Sequence, residues 1–247
     1  MPDLIVHRVI GERVLALLPP DTVREMDRSA WLAGLTGPDF WSCIRLPGQE
    51  SRSRFLHAED PSAFLSALTA TGRADCLSYA AGYLCHLTLD GLVHPYMEQL
   101  LTTRAGLTHA SMERCMDLHI AQSCRQSPRA LMKPFPLPSH LLASTLGRVL
   151  CRIYGWTSCA LQIRAGSMTL RMLTHAFLDR HGLLFRAGQA LKRQRLTDLS
   201  YFHKDRLISG TDPMFDQLET LYQQAVQQSA LRISALSGQG SEAQQHE

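Results

Sequence analysis

Residues 83–96 read Tyr-Leu-Cys-His-Leu-Thr-Leu-Asp-Gly-Leu-Val-His-Pro-Tyr, which places His86, Asp90 and His94 four residues apart. In a helix, side chains at this spacing lie nearly along one face. The apolar residues among them are Leu84, Leu87, Leu89, Leu92 and Val93. This pattern predicts a largely buried helix, in which an Asp or His needs a partner or a metal ion. Because imidazole and carboxylate groups suit zinc and similar divalent ions, the stretch favours a metal-binding helix.

A second triplet, His109, Glu113 and Asp117, follows at the same spacing. The two triplets can converge on one site if their helices pack antiparallel. Taken alone, a pair of residues four apart is more often an ordinary helix-surface interaction, worth a few tenths of a kcal/mol. The presence of both triplets, one of them in an apolar stretch, favours a metal site over that alternative.

Composition restricts the class of protein. The chain has 247 residues, of which 45% are hydrophobic, enough for one large domain or two small ones. A net charge of +3 is too small to indicate a nucleic-acid-binding protein by itself. The seven Cys form no Cys-x-x-Cys pair, and the N-terminus lacks the features of a signal peptide. No apolar run is long enough for a transmembrane helix. These features predict a cytoplasmic protein with free thiols.

Apolar periodicity predicts helices throughout, with no strand-like alternation, so the fold class is all-α. The predicted helices are 4–18, 21–34, 61–71, 75–94, 109–124, 139–154, 157–180, 183–195 and 213–236. A single all-helical domain is expected over 1–236, in which 1–125 carries the metal ligands and 139–236 supplies packing helices. Residues 199–211 should be irregular. The Gly-, Ser- and Gln-rich residues 237–247 should be a disordered tail.

Local signals refine these limits. Asp21 and Thr108 are predicted N-caps. Gly37-Pro38 breaks regular structure and should leave Asp39 in a loop. His57 is expected at a junction between a loop and a helix. The helix carrying the first triplet can end or bend at Pro95.

The candidate ligands, in order, are His7, Asp39, His57, His86, Asp90, His94, His109 and Glu113. In order and spacing this set resembles the bacterial zinc-dependent phospholipase C family, whose wider relatives include single-strand-specific fungal nucleases. The opening Met-Pro-Asp-Leu-Ile-Val-His, the Gly-Pro-Asp turn and Leu-Cys-His-x-x-x-Asp-x-x-x-His-Pro-Tyr are most similar to an intracellular branch. The resemblance extends over nearly the whole chain and is most specific in residues 7–113. It implies a multi-helix bundle with a cluster of zinc ions.

The resemblance implies three metal sites. One zinc would take Asp39, His57, His86 and Asp90. A second would take His94, His109 and Glu113. A third would take His7 and the bridging Asp90. In secreted members the mature N-terminus, a Trp, also binds this third ion, whereas loss of Met1 here would expose Pro2 as the corresponding candidate ligand. Two to three zinc ions are therefore expected, and iron or manganese could replace zinc at such sites.

The implied activity is hydrolysis of a phosphoric diester, in which a metal-activated water attacks phosphorus. Asp39 would orient or deprotonate that water, and Asp117 would hold His109 in its ligand tautomer from the second coordination sphere. The expected substrate is a phosphodiester such as a phospholipid headgroup. Nucleic acid is not favoured, since no base-stacking platform is evident.

The alternative is a non-catalytic helical scaffold whose metal is structural or vestigial. The absence of a His-Asp dipeptide and of His-Glu-x-x-His argues against other helical metal hydrolases.

The stretch 180–206 contains seven Lys and Arg residues against two Asp residues. A solvated face is the first interpretation, and a role in gripping anionic substrates is the alternative.

Overall fold

The computed structural model describes residues 4–44, 52–104, 108–178, 183–190 and 212–243. These residues form helices and their connections, with no strand among them, which confirms the all-α class. The helices are α1 (Leu4–Leu15), α2 (Pro20–Glu25), α3 (Arg28–Gly34), α4 (Arg52–Ala58), α5 (Ser62–Thr69), α6 (Ala74–Thr103), α7 (His109–Ser123), α8 (Pro128–Leu131), α9 (His140–Tyr154), α10 (Cys159–Leu178), α11 (Leu183–Ala190) and α12 (Met214–Ala243). A 3-10 turn over Asp39–Cys43 lies between α3 and α4.

The 30-residue helix α6 is the centre of the fold. It contacts α1, α3, α5, α7, α9 and α12. A helix contacted by so many neighbours must be apolar nearly all round. Its middle is accordingly buried, and the fully buried His86 and the nearly buried Asp90 lie within that apolar surround. The burial predicted from residues 83–96 is therefore observed.

Small residues let α3 cross α6 at very short range. A Cβ atom built on Gly82 would lie 3.0 Å from the backbone nitrogen of Leu35 and would overlap the carbonyl oxygen of Trp31. A Cβ on Gly34 would lie 2.9 Å from the backbone nitrogen of Tyr83. The backbones of the two helices are thus in direct contact. This contact places the end of α3 against the turn of α6 that carries His86.

A buried carboxylate joins α7 to the first turn of α1. The Oδ1 atom of Asp117 accepts the backbone N–H groups of Ile5 and Val6, both at 3.0 Å. These amides have no partner within their own helix, because the first four N–H groups of a helix never do. Asp117 therefore fixes the start of α1, the helix that carries His7.

Several helix limits differ from the predicted ones. The predicted helix 4–18 ends at Leu15, and 21–34 is two helices, α2 and α3. The division occurs because Asp27, rather than Asp21, caps a helix by accepting the N–H groups of Ser29 and Ala30. Residues 52–58 are helical, so His57 lies in the last turn of α4 and not ahead of a helix. The Thr108 cap is confirmed.

The later limits differ as well. Helix α6 continues through Pro95 to Thr103, because packing against several neighbours offsets the backbone hydrogen bond that the proline cannot make. Helix α12 continues to Ala243, so the predicted disordered tail 237–247 is helical over that part, where no proline interrupts it. Residues 191–195 of the predicted helix 183–195 and the predicted irregular stretch 199–211 lie outside the described residues. The single domain over 1–236 stays a prediction.

Candidate metal centre

The carboxylate of Asp90 is the meeting point of four histidines. Its Oδ2 atom lies 3.1 Å from the Nε2 atoms of both His57 and His86. Its Oδ1 atom lies 3.2 Å from Nε2 of His7 and 3.7 Å from Nε2 of His94. These histidines lie in α1, α4 and α6, so three helices together place four imidazole rings around the buried carboxylate of Asp90.

Backbone carbonyls fix the orientation of two of these rings. The Nδ1–H of His86 donates to the carbonyl oxygen of Leu35 at 3.1 Å, and the Nδ1–H of His57 donates to that of Ser53 at 2.7 Å. A carbonyl only accepts, so each neutral ring presents a lone pair at Nε2. The two Nε2 atoms face each other at 3.3 Å. Two lone pairs so close repel each other unless a proton or a metal cation lies with them.

Two overlapping sets of ligand atoms result. One consists of His7, His86 and Asp90, and the other of Asp39, His57 and His86. Within each set the ligand atoms lie within 4.8 Å of one another. The rings of His7 and His86 are stacked, with centroids 4.2 Å apart, and Oδ1 of Asp39 lies 3.4 Å from Nε2 of His57. The structure thus brings together five of the predicted ligands.

The remaining predicted ligands are arranged more openly. Nε2 of His109 lies 3.1 Å from Oε1 of Glu113, and the His94 and His109 rings are 5.5 Å apart. Their exposure is also greater, since 36% of the His94 side chain and 46% of the His109 side chain are accessible to solvent. In the described part of the chain, these three residues do not form a set as tight as the two above. Their role as a second metal site stays a prediction.

Gly37 determines how closely the turn before Asp39 approaches His86. Its φ of +45° lies in the left-handed region, which L-residues with a side chain rarely adopt. A Cβ atom at this position would lie within 2.8 Å of the His86 ring atoms Cγ, Cδ2 and Nε2. Sequence reasoning noted the Gly37-Pro38 break but missed this contact and the two carbonyls that orient the rings. No side-chain pattern marks a backbone carbonyl as a partner.

A model of the family described as zinc dependent phospholipase C matches residues 6–157, more than half of the 247 residues. The chain belongs to the zinc-dependent phospholipase C family. The match includes all eight candidate ligands and ends before α10, so it is shorter than the near-complete resemblance expected from the sequence. Comparisons with curated proteins and with solved structures returned no match.

The donor set fits the zinc that the family requires. Imidazole nitrogens and carboxylate oxygens are the ligands that zinc takes in catalytic sites. His86 and His57 each have the second-sphere carbonyl that usually fixes a zinc-binding histidine. The opposed Nε2 atoms also need a cation between or beside them. The zinc dependence of the family and the geometry of the His/Asp cluster both support a metal site here.

The electrostatics of this candidate site favour a cation. Burial lowers the pKa of His57, but its hydrogen bonds with Asp39 and Asp90 outweigh that effect and raise the pKa to about 10. For the carboxyl groups of Asp39 and Asp90, burial has the opposite effect and raises the pKa. Neighbouring histidines, His86 first among them, outweigh burial. They hold the pKa of Asp39 below its usual range and the pKa of Asp90 well below it. The two carboxylates therefore remain ionised near neutral pH. Their negative field attracts a proton in the metal-free protein and a divalent ion when one is supplied.

The predicted role of Asp117 was to hold His109. Its described hydrogen bonds go to the backbone of Ile5 and Val6, and the side chain is fully buried. On α7 the two residues are eight positions apart, or about 12 Å along the axis. Asp117 thus supports the candidate site through the helix that carries His7, and its contact with His109 stays a prediction.

Two further expectations concern the whole chain. The seven Cys are free thiols, as predicted. Among the residues that the structure describes, no helix combines the length and the apolar character that crossing a membrane requires.

Proposed function

We propose that this protein is a zinc-dependent phosphodiesterase that hydrolyses a phosphoric diester of the phospholipid-headgroup type. The observation that carries the proposal is the convergence of His7, His57 and His86 on Asp90, with the opposed Nε2 atoms of His57 and His86 at 3.3 Å. Membership of the zinc-dependent phospholipase C family supports the reaction class.

The proposed sites overlap at Asp90. Asp39, His57, His86 and Asp90 would hold one zinc ion, and His7 with Asp90 would hold another. The predicted set of His94, His109 and Glu113 would hold a third. His94 lies 3.7 Å from Asp90, so Asp90 connects the compact cluster of His7, Asp39, His57 and His86 with the more exposed set that contains His94. We therefore expect two to three ions per chain.

When bound, zinc supplies Lewis acidity and a positive charge opposite the phosphate. The chain's own residues supply position and proton transfer. Asp39 begins the 3-10 turn beside His57, and its lowered pKa keeps the carboxylate able to accept a proton or a hydrogen bond from an attacking water. His57 and His86, held by backbone carbonyls, keep their nitrogens directed at the same point.

Metal content and turnover together test this proposal. Elemental mass spectrometry should find two to three zinc ions per chain. The metal-loaded protein should hydrolyse bis-p-nitrophenyl phosphate or p-nitrophenylphosphorylcholine, and a chelator should abolish the activity. Full metal loading without chelator-sensitive turnover on either substrate would favour the non-catalytic scaffold instead.

Substitutions separate metal binding from catalysis. His86→Ala and Asp90→Asn should remove both zinc and turnover, because each side chain contacts more than one other candidate ligand. Asp39→Asn should lower turnover by roughly 10²–10⁴-fold, the usual contribution of a general base. The set that lacks Asp39, formed by His7, His86 and Asp90, should still hold a zinc ion in this variant. Exposed residues of the same types, His140 and Asp21, provide the controls His140→Ala and Asp21→Asn. A fully active His86→Ala variant would remove the basis of the proposal.

A further inference from the structure

Helix α10 is apolar on two opposite faces. Its inner face buries Cys159, Ile163 and Leu170. On the other side, Leu161 is 72% exposed, Met172 65% and Met168 46%. A helix on the surface of a globular protein normally turns polar residues to solvent, so the inner face is expected and the outer one is not.

The exposed apolar residues form one stripe. Leu161, Ala165, Met168 and Met172 are spaced by four, three and four residues. At 100° per residue their side chains lie within about 60° of one another around the helix axis. We refer to these four residues as the α10 outer stripe. Scattered exposed apolar residues are normal on proteins, but a continuous stripe marks an interaction surface.

Positive charge borders the stripe and no negative charge balances it within the helix. Arg164 and Arg171 project to one flank of it at the same 100° spacing. Helix α10 contains no Asp or Glu, and neither does α11, which contributes the 63%-exposed Leu183 and the exposed Arg186. The partner that this surface suits is apolar at its centre and anionic at its edge.

We infer that the α10 outer stripe docks on the surface of a bilayer that contains anionic phospholipid. A helix with an apolar stripe and basic residues beside it lies in the interfacial plane, with Leu and Met side chains among the acyl chains and Arg side chains at the headgroups. The inference rests on the proposed function, since phospholipid headgroups as substrates are presented on such a surface. Helix α10 also packs against the 3-10 turn that begins with Asp39, so the docked helix adjoins the proposed metal centre.

A second copy of the chain is a poorer occupant. In a two-fold symmetric dimer the same patch meets itself, so Arg164 and Arg171 would face a surface of the same sign. Like charges across an interface oppose association, whereas an anionic bilayer attracts them. The charge of the flank therefore favours lipid over self-association.

Vesicle flotation of the full metal-loaded chain tests the inference. The probes are vesicles of phosphatidylcholine alone and of phosphatidylcholine with phosphatidylserine. The test variant is Leu161→Glu with Met172→Glu, and the matched control is Leu17→Glu with Leu231→Glu, which changes the same number of exposed apolar residues and the same charge. We expect wild type and control to bind the anionic vesicles, the test variant to bind at least about tenfold more weakly, and added salt to weaken binding.

A second variant, Arg164→Gln with Arg171→Gln, keeps the stripe and removes charge, so its binding should fall on anionic vesicles only. No binding by wild type, or equal binding by wild type and both double-Glu variants, would overturn the inference. A dimer in solution that the test variant alone dissociates would also overturn it, because a second copy would then cover the stripe. Hydrolysis of the soluble p-nitrophenyl diesters is measured in parallel. Vesicle binding without turnover contradicts the proposed function alone, and turnover without vesicle binding contradicts the docking surface alone.

Discussion

Gly37 is required at the metal centre, because the ring of His86 packs against its backbone in the space that the side chain of any other residue would occupy. We predict that Gly37→Ala displaces the His86 ring and weakens zinc binding by at least about tenfold, the usual effect of losing a residue that supports a ligand. The new Cβ would lie within 2.8 Å of three ring atoms. Zinc affinity is measured by competition with a chromogenic chelator.

Gly72 provides the control for backbone strain. Its φ is +62°, but a Cβ there meets no atom within 4 Å. Gly72→Ala should therefore show the destabilisation of about 1–2 kcal/mol that a left-handed Ala causes, with normal zinc affinity. Equal zinc affinity in the two variants would show that the Gly37 contact does not position His86.

Asp117 acts on the centre through the backbone of α1. We predict that Asp117→Ala lowers the free energy of unfolding by about 2–4 kcal/mol, since two amides lose a charged acceptor in a fully buried place. The matched variant is Asp27→Ala, which also loses two amide bonds but at an exposed cap, and should cost about 1 kcal/mol. Urea unfolding of both variants measures the difference. Similar costs for the two would mean that burial adds nothing at Asp117.

The crossing of α3 and α6 connects helix packing to the orientation of His86. Both helices approach through glycine, and α3 ends just before Leu35, whose carbonyl accepts the His86 Nδ1–H. We predict that Gly82→Ala forces the helices apart, costs about 1–3 kcal/mol, and reduces zinc affinity because Leu35 moves with α3. Thermal unfolding with and without zinc measures both effects.

Gly91 lies in the same helix, where a Cβ would meet no atom within 4 Å. Gly91→Ala should instead stabilise the protein by roughly 0.5–1 kcal/mol through helix propensity. If Gly82→Ala were as benign as Gly91→Ala, the close crossing would not be a constraint on the fold.

The helices show which signals can be found in the sequence. The burial of α6 and the cap at Thr108 follow from short-range patterns, so both could be predicted. The continuation of α6 beyond Pro95 could not, because it depends on packing against helices distant in sequence. The division at Asp27 was missed since two residues in the same stretch, Asp21 and Asp27, are suitable caps and only tertiary structure distinguishes them.

The same distinction between short-range patterns and tertiary structure applies to the metal centre. The contacts of His86 and His94 with Asp90 follow from helical spacing. Asp39 and His57 lie in separate elements, and the resemblance to a family, rather than any local pattern, assigned them to the centre. The contact between His86 and the carbonyl of Leu35 could not be predicted from the sequence, because every residue has a carbonyl and only the fold brings this one to the ring.

The whole molecule couples metal binding to stability and pH. In the metal-free protein, the pKa of His57 is raised to about 10 from an ordinary value of 6.5. The protonated ring therefore stabilises the fold fully below about pH 6.5, and this contribution is lost as the pH rises towards 10. The lowered pKa values of Asp39 and Asp90 have the opposite sign: their contribution is present above about pH 4 and is lost as the pH falls.

Zinc reverses the trend above neutrality, because it takes the place of the proton on His57. We predict that the melting temperature of the metal-free protein falls between about pH 6 and about pH 8, while the increase caused by zinc becomes larger over the same interval. Zinc at about 100 times its Kd should add about 2.7 kcal/mol for each independent site. Calorimetry with zinc and with chelator measures both trends, and His140→Ala should reproduce them. His86→Ala should abolish most of the zinc effect. An equal zinc effect at both pH values would mean that protons and metal do not compete for the same nitrogens.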